Sequence, residues 1–234
     1  MYHKVAENII QAILANKYSD KLPTEKELVE EYQVSRNTIR KALDVVFAHG
    51  LLRRVRGSGY YIIKRPLQSQ TVLNLSIGFD KNSMVSGGPL KSKVVKFDTI
   101  QADENLAQWG NVAIDTRVYR VIRLRYLKDH LYSLEESYFP REVVPFLSKE
   151  SVQSSIFSFL RDAYQMTGST SENYVHVNKL DEWQADLIGW QQGERILCLD
   201  GINYLVNGKV FNFSRTYFVY DNLALYYHTQ NIDL

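Results

Sequence analysis

A single cysteine, Cys198, leaves no partner for an internal disulfide. It sits in the apolar run Ile196-Leu197-Cys198-Leu199, where a buried structural thiol is expected and a nucleophile is not. No apolar stretch reaches membrane-span length. The opening Met1-Tyr2-His3-Lys4 is not followed by an apolar core of signal-peptide length, so the expectation is a soluble cytoplasmic protein without membrane contact. The five histidines, His3, His49, His130, His176 and His228, lie too scattered for a metal site. A phosphate-binding glycine loop, a dinucleotide fingerprint and a nucleophile–base pattern are all missing. Neither metal nor cofactor is therefore expected, and enzymes are the disfavoured class. Repeats and low-complexity tracts are absent too.

What is present is a chain of 234 residues, long for one domain and comfortable for two, with 45% hydrophobic and 23% charged residues, which excludes general disorder. The net charge of +2 conceals an asymmetry. Residues 1–65 hold 12 Lys/Arg against 7 Asp/Glu, a net of +5, and residues 66–234 hold 16 against 19, a net of −3. Within 35–65, Asp44 alone opposes 8 basic side chains, a net of +7. Such a concentration fits a phosphate-binding surface, although a basic face alone is also what any solvated face can look like.

Three helical patterns open the chain. Val5, Ile9 and Ile13, with Leu14 as a candidate fourth, mark one apolar face. Thr24-Glu25-Lys26-Glu27 reads as a capping box that starts a second helix burying Leu28 and Tyr32. Ser35 reads as the N-cap of a third, with Ile39, Leu43, Val46 and Phe47 inward and Gly50 at its left-handed end. Only Gln33 and Val34 separate the second from the third, which forces a sharp helix-turn-helix. Leu51–Val55 and Tyr60–Ile63 flank Arg56-Gly57-Ser58-Gly59 as a hairpin. Helix, helix, helix, hairpin is the layout of a winged helix-turn-helix.

Burying Ile39, Leu43, Val46 and Phe47 turns Arg36, Asn37, Arg40 and Lys41 outward near the start of the third helix. A recognition helix enters the major groove by that end, and the planar arginine fork matches guanine O6 and N7. Arg36 and Arg40 are one turn apart on one face. Ser35, Asn37 and Thr38 are short polar groups suited to phosphate oxygens. Arg56 and Gly57 at the hairpin tip combine charge with close backbone approach to a narrow groove. For any one of these residues an ordinary solvated surface is the competing reading; their order and the net of +7 disfavour it for the set.

The run Leu22-Pro23-Thr24-Glu25, then Val34-Ser35-Arg36-Asn37-Thr38-Ile39-Arg40-Lys41-Ala42-Leu43, then Gly57-Ser58-Gly59, resembles the signature of the GntR family of bacterial regulators over residues 2–65. Thr24 and Ile39 stand where the family has Ser and Val. The resemblance implies that Arg36 and Arg40 read bases, that Lys26, Ser35, Asn37 and Thr38 touch backbone or adjacent bases, and that Arg56-Gly57 enters the minor groove.

Lys64–Thr71 is polar, contains Pro66 and reads as a linker. The division expected is a DNA-binding domain at 1–65, a linker at 66–72 and a second domain at 73–234. Strand-like runs at Lys93–Ile100, Thr116–Leu127, Leu131–Phe139, Tyr174–Val177, Ile196–Val206 and Lys209–Tyr220 alternate with helical candidates at Asp103–Trp109, Ser155–Ala163 and Asp181–Ile188. Asp129-His130 and Asn207-Gly208 supply turns, so the domain is expected to be α+β with an antiparallel sheet. Two strands joined near Asp129 put Arg123 and Arg125 on one face with Glu135 returning beside them. That group could bind a phosphate and a hydroxyl, or be a cross-strand ion pair on a solvated sheet.

This second domain resembles the effector domain of the HutC branch of that family, the UTRA domain of chorismate-lyase-like fold. The segment 123–140, Ser155-Ile156-Phe157 and Asn212-Phe213-Ser214-Arg215 carry the likeness over about residues 73–230. It implies Arg123, Arg125, Glu135, Ser155 and Asn212 as effector-site residues. Sugar-phosphate-sensing relatives often have Ser-Phe where this chain has Gly78-Phe79, and a glutamate where it has Asn212. Tyr217, Tyr220, Tyr226 and Tyr227 are candidates for a pocket lining or for core. The function expected is a transcriptional regulator, a repressor, whose affinity for double-stranded palindromic operator DNA is set by a small-molecule effector in a homodimer. Two alternatives are a DNA-binding protein whose second domain only dimerises and a lyase-like enzyme.

Overall fold

Tyr2–Leu14 forms α1 because Val5, Ala6, Ile9, Ile10 and Ile13 make one buried stripe. Leu14 is off it: each residue turns the helix by about 100°, and the residue after Ile13 is 41% exposed. The computed structural model describes residues 1–63, 71–74, 91–127, 129–219 and 223–226. The expectations for Gly78, Phe79, Tyr220, Tyr227 and the linker residues 64–70 lie outside these.

Glu25–Tyr32 is α2 and Arg36–Ala48 is α3. The capping box is formed: Thr24 Oγ1 accepts from the Glu27 amide at 3.3 Å while the Thr24 amide donates to Glu27 at 2.7 Å. Between the helices, Gln33 takes a left-handed conformation, φ 52°, which reverses the chain within two residues. Ser35 caps α3 by accepting from the Thr38 amide at 3.2 Å, and Gly50 ends it at φ 66°. Ile39, Ala42, Leu43 and Val46 of α3 pack against Ile9 and Ile13 of α1, Leu28 of α2, and Leu51 and Leu52, while Phe47 is half-buried at the margin.

The wing consists of β1, Leu52–Val55, paired antiparallel with β2, Gly59–Ile62. Gly57 turns between them at φ 75°. The segment before α2 joins them: the Leu22 amide donates to the Tyr60 carbonyl and the Ile62 amide to that of Asp20. These bonds fasten the wing to the start of the helix-turn-helix.

The chain divides into two units, Met1–Gly87 with Asn222–Leu234, and Gly88–Asp221. β3, Thr71–Asn74, pairs in parallel with β10, Leu223–Tyr226, within the first. Periodicity puts the first of these segments at the linker and the second in the C-terminal domain; a pairing so distant in sequence leaves no local signal.

The second unit is one antiparallel sheet in the order β4-β5-β6-β9-β8-β7. Its strands are β4 (Lys91–Gln101), β5 (Arg117–Leu127), β6 (His130–Pro140), β7 (Gly168–Lys179), β8 (Arg195–Leu205) and β9 (Val210–Phe218). Asp129 at φ 65° and Gly208 at φ 79° make the expected turns. Among the described residues four helices intervene: α4 (Glu104–Gly110), α5 (Lys149–Gln153), α6 (Ile156–Tyr164) and α7 (Glu182–Ile188). Alternation along β5 separates two cores. Tyr119 and Val121 face Val152 of α5 and Ile156 and Leu160 of α6. Ile122 and Leu124 face Ala185 and Ile188 of α7 together with Cys198 and Tyr217. Burial raises the Cys198 thiol to about 11, so it stays protonated, in keeping with a structural cysteine.

Two elements exceed what the pattern predicts. β7 already begins at Gly168, ahead of the expected Tyr174, and the eight exposed residues at its start show no alternation by which to read it. α5 is too short for helical periodicity and is started by the Ser148–Ser151 capping box.

Gly110 closes α4 against Phe213, and a Cβ there would lie 2.5 Å from the ring. Phe213 is fully buried between Trp109 and Tyr138 and has no room to move. Gly110→Ala is expected to cost ~1–3 kcal/mol of stability, read as a lower midpoint in chemical denaturation. An unchanged midpoint would contradict the packing described.

Candidate functional site

Two groups of side chains carry chemistry. The first lies on α2, α3 and the wing. Arg36 and Arg40 occupy the first and second turns of α3, with 70% and 55% of their side chains exposed. Asn37, Lys26, Arg56 and Gly57 are exposed as well. Ser35 and Thr38 are already engaged: their hydroxyls share a 2.9 Å hydrogen bond, and the Ser35 oxygen serves as the helix cap. The helix start, its two arginines and the wing tip thus present cationic and short polar groups of the kind that phosphates and guanine edges accept.

Sequence reasoning assigned no contact to Glu25. Its Oε2 accepts from Arg36 Nε at 2.9 Å and from Arg40 Nε at 3.0 Å, and only 19% of its side chain is exposed. Arg36, and with it Arg40, holds the Glu25 carboxyl below the usual carboxylate range, so it is ionised at neutral pH. The three residues lie on two helices, and their approach depends on the left-handed turn at Gln33; only the helix-turn-helix reading could have hinted at it.

The second group lies on the sheet face under α5 and α6. Arg123 stands directly opposite Glu135, and Arg125 opposite Ser133. Arg123 Nη2 reaches Glu135 at 2.9 and 3.1 Å, and Arg125 Nη1 reaches it at 3.1 Å. The arginines are 4% and 5% exposed, which rules out a cross-strand pair on a solvated sheet. Burial opposes the Glu135 charge, but Arg123, Arg125 and the Ser137 hydroxyl outweigh it and hold the carboxyl at about 2. Arg123 Nη1 also donates to the carbonyls of Val152 and Ser154, at 3.3 and 3.0 Å, tying the strand to the approach of α6.

Ser155, next in the chain, caps α6 by accepting from the Ser158 amide at 3.2 Å. The structure thus gathers Arg123, Arg125, Glu135 and the Ser154–Ser155 corner. It does not bring Asn212 to them in any contact. That side chain is 2% exposed, accepts from Asn203 at 2.8 Å and donates to the Tyr138 carbonyl at 3.2 Å, bonds that brace β8, β9 and β6. Ser133 and Ser137 join the group, and alternation about Glu135 could have found both.

Two buried arginines converge here on one ionised carboxylate. Arg123 Nε and the fully buried Ser133 Oγ have no hydrogen-bond partner among the described residues. An anion bearing oxygen acceptors would satisfy both needs. The other sheet face carries a separate buried carboxylate, Glu136, raised by burial and bonded to Gln184 and Tyr138. Cys198 and Tyr217 lie in the core on that side, where Tyr217 accepts from Gln184 at 2.8 Å and serves as core, not pocket lining.

Comparison with known proteins agrees with both halves. The model for bacterial regulatory proteins of the gntR family matches residues 1–62, and that for the UTRA domain matches residues 86–224. The uncharacterized HTH-type transcriptional regulator YydK of Bacillus subtilis (strain 168) is 31% identical over 86% of this chain and 85% of its own. Its crystal structure, described as that of a possible transcriptional regulator, superposes with a TM-score of 0.79 over 98% of this chain and 99% of its own, at 27% identity. The mannosyl-D-glycerate transport/metabolism system repressor MngR of Escherichia coli (strain K12) is 31% identical over 95% of this chain and 92% of its own. These relatives are regulators of transcription, not enzymes. With its helix-turn-helix at the N-terminus and its six-stranded sheet beyond, the chain belongs to the gntR family of bacterial regulatory proteins, as a member carrying a UTRA domain.

Proposed function

We propose that this regulator is a cytoplasmic homodimeric repressor that reads a palindromic operator with Arg36 and Arg40 and releases it when an anionic metabolite, a sugar phosphate or sugar acid, binds at Arg123 and Arg125. The observation that carries the effector reading is the buried cluster of Arg123, Arg125 and Glu135, in which Arg123 Nε and Ser133 Oγ are still without acceptors among the described residues. Buried donors left without acceptors are costly, so a ligand bearing oxygen acceptors is the reading that accounts for them. MngR, named for a mannosyl-D-glycerate system, places one relative in the chemistry of acidic sugar derivatives.

On the DNA side, Arg36, Asn37 and Arg40 stand exposed at the start of α3, with Lys26, Arg56 and Gly57 exposed beside them in the same unit. One winged module covers too short a site for discrimination, so two half-sites and two copies are needed. The two sheet edges differ in a way that supports self-association. β4 carries Lys91, Lys93 and Lys96 and a register shift between Val94 and Lys96, devices that keep an edge from pairing. β7 has none of these along its middle, where Tyr174, Val175 and Val177 are 56%, 43% and 60% exposed.

The test uses the full chain. A random duplex library yields the preferred DNA, sedimentation gives the stoichiometry on it, and hexose phosphates and sugar acids are screened for release in a gel shift. Enrichment of a two-fold symmetric sequence, two chains per duplex and release by at least one anionic sugar are the expected outcomes. A monomer on an asymmetric site, or neutral sugars acting where anionic ones do not, would refute the corresponding part.

A further inference from the structure

We propose that Glu25 is a positioning residue for DNA specificity: a single carboxylate oxygen on α2 holds both Arg36 and Arg40 by Nε, and so selects which of their contacts DNA can use. The inference rests on the reading of those two arginines as base-reading groups and adds to it a device that governs them.

The geometry supplies the reason. A guanidinium group offers donors at Nε and at its two Nη atoms. Here both Nε donors are taken by Glu25 Oε2, at 2.9 and 3.0 Å. The fork that remains, Nη1 with Nη2, is the one whose two parallel hydrogen bonds fit guanine O6 and N7. A guanine contact is therefore compatible with the Glu25 contact and needs little reordering of two long side chains. A phosphate reached by swinging either arginine aside breaks the Nε bond and leaves a carboxylate, 19% exposed, short of a partner and close to other anions.

Electrostatics acts in the same direction. The three charges sum to +1 where two free arginines would present +2, so the general attraction to the DNA backbone falls while the directional contacts are kept. Glu25 thus weakens binding to arbitrary DNA more than binding to the correct bases. A residue that merely stabilised α2 would weaken both alike on removal.

The experiment compares full-length wild type, Glu25→Gln and Glu25→Ala. The probes are the duplex that wild type enriches from a random library and a shuffled duplex of the same composition, each titrated over a range of salt concentrations. Both variants are expected to bind the shuffled duplex about 3–10-fold more tightly and to lose about tenfold or more of the ratio between the two duplexes, with Glu25→Ala the more affected. The salt dependence on the shuffled duplex should steepen by about one to two in log–log slope, since each additional phosphate neutralised contributes about 0.9. An unchanged ratio in both variants overturns the proposal, as does parallel weakening on both duplexes. If wild type enriches no sequence, or Arg36→Ala and Arg40→Ala leave the ratio intact, the base-reading assignment itself fails, and that outcome is separate from the first two.

Discussion

Arg36→Ala and Arg40→Ala are each expected to lose ~1–3 kcal/mol of binding to the preferred duplex, and to relax the sequence preference at the position each arginine reads. Both side chains are largely solvent-exposed, 70% and 55%, so the variants should melt close to wild type. The loss should differ in kind from that of Lys26→Ala. An exposed lysine contributes a point charge, and its removal should weaken all duplexes alike and flatten the salt dependence by about one unit of slope. Arg36 and Arg40 share Glu25, so their effects should not add, and the double variant should lose less than the sum of the singles. Titration of the four proteins against preferred and single-base-substituted duplexes checks each point. Wild-type discrimination in either single variant would place base reading elsewhere on the protein.

The second large effect is expected at Glu135. Glu135→Gln preserves size and one acceptor but removes the carboxylate charge that Arg123 and Arg125 share. Breaking a buried pair from one side typically costs ~3–5 kcal/mol, so thermal unfolding should shift sharply downward. Arg125→Ala is the milder change, because Arg123 still neutralises Glu135; it should keep operator binding and abolish release by the effector. A variant of Arg125 that still responds normally would remove the pocket from this face of the sheet.

The same carboxyl sets an acid dependence. Its pKa falls from 4.5 in the unfolded chain to about 2 in the fold, so folding favours the ionised form. The stability that this contributes is present above about pH 4.5 and is lost progressively as the pH falls towards 2. Glu135→Gln has nothing to titrate there and should show a shallower acid dependence over that interval. Denaturation midpoints measured between pH 5 and pH 2 would read the difference.

Much of this was legible in the chain because short-range rules decide it. Thr24 and Ser35 are caps by composition, Gly50 and Gly57 have the freedom that positive φ requires, and Ile39, Leu43 and Val46 repeat at helical spacing. The turn near Asp129 makes Arg123 and Glu135 neighbours on adjacent strands, but a register shift between Arg125 and Tyr126, for which the chain has no local signal, sets them directly opposite one another. The edge strand β7 was seen only in part, since a strand exposed on both faces need not alternate. The pairing of β3 with β10 and the role of Asn212 as a brace between strands depend on segments remote in sequence.

By itself the sequence determined the helix-turn-helix with its wing, the antiparallel sheet beyond and the type of side chain at the start of the recognition helix, all consequences of local periodicity, capping and turn chemistry. Only the tertiary structure decided that Glu25 grips both recognition arginines and that Arg123 and Arg125 are buried together against Glu135. Burial and contact across elements are properties of how faces are brought together, and the strength of a charge interaction depends on the water that packing excludes.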